Sequence, residues 1–204
     1  MDAANPQRRA LNDNVVSRES SGAAGSGVPV PLFMDVDGGL CALPVYLGAV
    51  WPLLERVELD APEPYPSHVW VNPAAVTALN ELIDDGLVRP IWCTSWDDAA
   101  NFLIPALGLH GGAWPVATLG TREGGLIRED IWIKTEAVSR VVADQRFVMV
   151  DDFLGDPGDR PLAAPRRSME ITFGAKNMLL IGTRPERGLT VDDVARIREF
   201  IEKA

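Results

Sequence analysis

Short continuous apolar runs alternate along this chain with stripes of helical spacing. Leu32-Phe33-Met34, Ile91-Trp92-Cys93, Phe147-Val148-Met149-Val150 and Met178-Leu179-Leu180-Ile181 lack the polar alternation of a half-exposed strand. They predict strands buried on both faces. Between them, Asn72 and Pro73 open a helix whose Val76, Leu79, Leu82 and Ile83 form one stripe, and Gly86 stops it. Ser95 is a candidate N-cap for a second helix, with Asp97 and Asp98 in its first turn and Pro105 expected to kink or end it. A third helix is predicted from Thr135 to Asp144. Thr190-x-x-Asp193 forms a capping box for the last, whose Val191, Val194, Ile197, Phe200 and Ile201 are predicted to face inward. Val69-Trp70-Val71 and Trp114–Leu119 are further candidate extended pieces, and a short helical piece is expected near Val50–Val57. Apolar strands alternating with helices predict an α/β fold, a Rossmann-like three-layer sandwich around a central parallel sheet.

The rest of the chain narrows this picture. Residues 1–27 are polar, end in Gly/Ser-rich sequence and carry no periodicity, so they are expected to form a flexible leader ahead of one domain over 28–204. Residues 41–68, rich in proline and acidic side chains, are expected to make a flap. The net charge of −10 weighs against nucleic acid as a partner without excluding it. Cys41 and Cys93 lack metal-ligand spacing and read as buried free thiols in a reducing compartment. No apolar stretch reaches membrane-spanning length, and the first twenty residues are too polar for a signal peptide. A cytoplasmic protein with no membrane partner is the resulting expectation.

Chemistry concentrates where the strands end. In parallel sheets ligands bind at the carboxyl ends of strands. Here the first strand ends in Asp35-Val36-Asp37-Gly38-Gly39, the second in Thr94-Ser95 and the third in Asp151-Asp152. Side by side, these ends collect four carboxylates and a hydroxyl, and the repulsion among the carboxylates calls for a cation. Mg²⁺, which takes a few carboxylates together with waters and a substrate phosphate, suits that set. A calcium loop does not, because Gly39, Leu40, Cys41, Ala42 and Leu43 offer almost no side-chain oxygen. Of the three lysines, Lys134 precedes the third strand and is expected at the same sheet edge.

Asp35 and Asp37, Thr94, Lys134 and Asp151-Asp152 resemble, in that order, motifs I to IV of the haloacid dehalogenase-like hydrolases, over about residues 30–183. Asp156 adds a possible Asp-x-x-x-Asp form of motif IV. The resemblance implies a Mg²⁺-dependent phosphomonoester hydrolase working through an aspartyl-phosphate. Asp35 is then the nucleophile, and Asp37 the acid and base. Thr94, or Ser95 in its place, bonds the phosphoryl group, and Lys134 offsets its charge. Asp35, Asp37 (through its carbonyl), Asp151 and Asp152 are the implied metal ligands, with Asp152 the first choice for direct contact. The short insert implies a minimal cap, hence an open site for a bulky substrate or one covered by a second copy in a homo-oligomer. A small phosphorylated molecule is the expected substrate. An end-processing phosphatase on nucleic acid and a non-catalytic binding domain of the same fold are the alternatives. Trp96 is a candidate for stacking on a substrate ring, His68 and His110 lack partners for a metal site, and Arg166-Arg167 are expected on a solvated helix face.

Overall fold

The computed structural model describes residues 27–43, 52–120, 131–155 and 163–203. The leader up to residue 26, all of residues 44–51 and Asp156 lie outside them. In chain order the elements are β1 (Val30–Met34), β2 (Glu55–Glu58), β3 (His68–Val71), α1 (Pro73–Asp84), β4 (Val88–Trp92), α2 (Leu103–Leu107), α3 (Ile131–Val142), β5 (Phe147–Asp151), α4 (Ala163–Phe173), β6 (Met178–Gly182) and α5 (Val191–Glu202). Short 3₁₀ segments at Asp97–Phe102 and Asp152–Leu154 follow β4 and β5.

Four strands form a parallel sheet in the order β4-β1-β5-β6. Its strands are buried on both faces, as continuous apolar runs require. Along β1 and β5 the side chains alternate between two cores. Leu32, Met34, Val148 and Val150 pack with Leu79 and Leu82 of α1 and Val194 and Ile197 of α5. Phe33, Phe147 and Met149 pack on the other side with Ala137, Val138 and Val142 of α3 and Met169 of α4. The fold is therefore α/β, with helices on both faces of a parallel sheet, compatible with a Rossmann-like arrangement. Pro90 sits in β4 at the sheet edge, where a missing N–H is tolerated. Among the described residues no helix is long and apolar enough to cross a membrane.

Several local expectations are met. Asn72 Oδ1 accepts from the N–H groups of Ala74 and Ala75 ahead of α1. Thr190 and Asp193 form the reciprocal capping box of α5. Cys41 and Cys93 are free and buried.

Others are corrected. The described part of Val50–Val57 is not helical: Glu55–Glu58 pairs antiparallel with β3. Ser95 caps no helix, because a 3₁₀ segment starting at Asp97 follows without a side-chain cap. Pro105 stands inside α2, in the first turn, where its missing N–H is harmless; the helix ends at Leu107 with Gly108 left-handed. Trp114–Leu119 contributes only an isolated bridge, Val116 beside Trp92. Val191 is 43% exposed at the first position of α5, ahead of its buried stripe. Arg167 is solvated as expected, but Arg166 is half-buried and donates to the carbonyls of Leu180 and Gly155.

Candidate functional site

Register brings the three chemistry-bearing strand ends together. β1 lies between β4 and β5, with Met34 beside both Trp92 and Val150. The Asp35 N–H donates to the Val150 carbonyl at 3.0 Å, and the Cys93 N–H to the Met34 carbonyl at 2.9 Å. Asp35, Thr94 and Asp151 therefore leave the sheet at neighbouring levels, and all three are essentially buried.

One oxygen each from Asp35, Asp151 and Asp152 lies within 4.8 Å of the others. Three carboxylates so close repel strongly, and the fold sets a cation against them. Lys134, in the first turn of α3 and 1% exposed, places Nζ 2.7 Å from Asp151 Oδ2 and 3.2 Å from Asp35 Oδ1. Burial by itself would lower its pKa. The Asp35 and Asp151 charges raise it by more, so the net shift is upward and the ammonium stays charged. Asp151 Oδ1 accepts from the Phe153 N–H at 2.9 Å, which caps the 3₁₀ turn carrying the half-buried Asp152. Asp151 is thus tied to Lys134 and to the backbone, and Asp152 is delivered at the cluster's more exposed side.

Glycines make this approach possible. Gly38 has φ of 74°, and a Cβ there would lie 2.7 Å from Asp152 Cγ. At Gly39 a Cβ would lie 2.5 Å from the Asp35 carbonyl oxygen. At Gly182, where β6 ends, it would collide with the Gly155 carbonyl just beyond the Asp152 turn. Thr183 follows, and its buried hydroxyl donates to the Gly38 carbonyl at 2.6 Å, fixing the turn between Asp37 and Asp152. Sequence reasoning missed Thr183, although it too follows an apolar strand and the strand-end rule would have reached it.

The other expected site residues take distinct places. Asp37 is not in the three-carboxylate cluster; its Oδ2 accepts from the Trp96 indole N–H at 2.8 Å. Thr94 Oγ1 accepts from the Trp96 backbone N–H at 3.4 Å, while Ser95 is half-buried beside it. Trp96 is 4% exposed with its ring against Tyr65, so it is packed and presents no open stacking face. His110 pairs with Asp84 at the surface, apart from the cluster.

All three donors of the cluster are carboxylate oxygens, the set a hard divalent cation takes. The arrangement can therefore hold a metal ion, offer a nucleophilic carboxylate beside it, and supply fixed positive charge from Lys134. Comparison of the chain with family models, with curated proteins and with solved structures returns no match.

Proposed function

We propose that the protein is a phosphomonoester hydrolase of the haloacid dehalogenase-like kind, with a minimal cap and a small phosphorylated molecule as substrate. The observation that carries this reading is the buried Lys134 ammonium set between Asp35 and Asp151 in an acidic cluster at the carboxyl end of a parallel sheet. A purely structural network has little reason to bury two carboxylates against one lysine with a third, half-buried one beside them. Isosteric apolar residues there would be as stable or more so. The described part of the segment between β1 and α1 contains a hairpin, β2 and β3, in keeping with a small flap.

In this reading the Asp35 carboxylate attacks phosphorus. The bond to the leaving oxygen breaks as Asp37 gives that oxygen its proton. Asp37, now ionised, takes a proton from water, whose oxygen attacks the same phosphorus. The bond to Asp35 then breaks, and inorganic phosphate leaves. Lys134 offsets charge on Asp35 and on the phosphoryl oxygens throughout. Thr94 accepts a bond from the Trp96 N–H, so its own hydroxyl proton is directed elsewhere and suits a phosphoryl oxygen. Asp35, Asp151 and Asp152 are the side chains that would hold Mg²⁺, with the Asp37 carbonyl as a further ligand. A bound Mg²⁺ supplies neutralisation of the phosphoryl charge.

The test is release of p-nitrophenol from p-nitrophenyl phosphate with and without Mg²⁺. Turnover that needs the cation and is lost in Asp35→Asn is expected. Absence of turnover in the wild type across divalent cations overturns the proposal.

A further inference from the structure

Trp96 touches the polar machinery at both Asp37 and Thr94. Its indole N–H donates to Asp37, its backbone N–H donates to Thr94, and its carbonyl accepts from the Tyr65 hydroxyl at 3.2 Å. The Tyr65 ring lies against the indole with centroids 5.0 Å apart. Asp97, the next residue, has φ of 47°. Asp enters this left-handed region more readily than most non-glycine residues, so the chain turns away directly after Trp96.

A buried indole contributes apolar area anywhere in a core. Core packing does not require that its N–H meet a carboxylate two residues from Asp35. An unanchored Asp37 carboxylate could swing toward the same cation as its three neighbours, where it could no longer serve a leaving oxygen. An indole donor holds it aside and in one rotamer.

We propose that Trp96, braced by Tyr65, is a positioning residue that fixes the Asp37 carboxylate for proton transfer to the leaving group and keeps it apart from Asp35, Asp151 and Asp152. The inference rests on the phosphatase reading and adds to it a dependence on the leaving group. p-Nitrophenolate departs without much help from an acid, whereas phenolate and alkoxides need the proton.

The experiment compares Trp96→Phe, which keeps an aromatic ring and loses the donor, with wild type on p-nitrophenyl phosphate and on phenyl phosphate. The expected result is a kcat/KM for phenyl phosphate lowered about tenfold or more, near the lower end of general-acid effects. For p-nitrophenyl phosphate kcat/KM should fall several-fold less, because kcat/KM reports the steps up to departure of the leaving group, whereas kcat also contains the hydrolysis step in which Asp37 is the base for both esters. Tyr65→Phe should move the same ratio in the same direction by less, and serves if Trp96→Phe does not fold. Equal losses of kcat/KM on both substrates overturn the proposal in favour of packing. A second readout needs no turnover: in ¹⁵N indole spectra of the full chain, Asp37→Ala should shift the Trp96 Nε1–H resonance. A resonance that does not move overturns the positioning role whatever the activity. A wild type that hydrolyses neither ester overturns the phosphatase reading, and the resonance then decides the Trp96–Asp37 bond by itself.

Discussion

The buried Lys134 is held in its charged form, against the cost of burial, by the two carboxylates it lies between. Lys134→Met leaves Asp35 and Asp151 facing each other without compensation. The expected cost is about 3–5 kcal/mol, read from urea unfolding. The raised pKa of Lys134 sets a pH window for this interaction. Its contribution is full below the ordinary lysine value of 10.5 and is lost only as the pH climbs beyond that toward the folded value. Cys41 acts earlier on the same alkaline side. Burial first, then Asp37 and Asp35, push its thiol up from 9.0, so above pH 9.0 the unfolded chain releases a proton that the folded chain retains. Stability should therefore fall as the pH rises past 9.0, and Cys41→Ala should flatten that first part of the fall. A fall of equal slope in Cys41→Ala would show that the thiol is not its source. Gly38→Ala adds a left-handed alanine, about 1–2 kcal/mol, and a Cβ where Asp152 stands. It should weaken divalent-cation binding in calorimetry by displacing Asp152, and unchanged affinity would argue against Asp152 as a ligand.

Elements differ in how openly their residues announce them. The four sheet strands were legible because each is apolar without alternation, and the ends of α1 and α5 because their caps are local side-chain chemistry. The strand-end cluster of Asp35, Asp151, Asp152 and Lys134 followed from the same pattern. Glu55–Glu58 was not legible as a strand: it is charged, short and formed only by pairing with β3, a tertiary effect. Trp114–Leu119 was over-read because its apolar content serves packing of Trp114, and Pro115 can give no ladder N–H. The hold of Trp96 on Asp37 spans 59 positions, which no local pattern records. The end of α3 offers an independent check of the backbone. Ala143, exposed just past Val142, has φ of 46°, where glycine is favoured. Ala143→Gly should raise stability by about 1 kcal/mol in urea titration, and a loss would contradict the left-handed helix end.

For the molecule as a whole, folding brings three carboxylates together in a chain whose net charge, these included, is −10. A divalent cation that binds only the folded state must stabilise it by mass action. The Tm should rise with the logarithm of Mg²⁺ concentration, and Asp152→Asn should reduce that rise. The two cores on either face of the sheet hold the strand ends in register, so the position of Asp35, the proposed nucleophile, depends on the entire sandwich and not on a loop. The most direct measurement of the central claim is mass spectrometry of the chain acid-quenched during turnover of p-nitrophenyl phosphate with Mg²⁺. A phosphoryl group is expected on the peptide bearing Asp35, and none on that peptide in Asp35→Asn. Turnover with no phosphorylated peptide, or a phosphoryl group elsewhere with Asp35→Asn fully active, would contradict the claim.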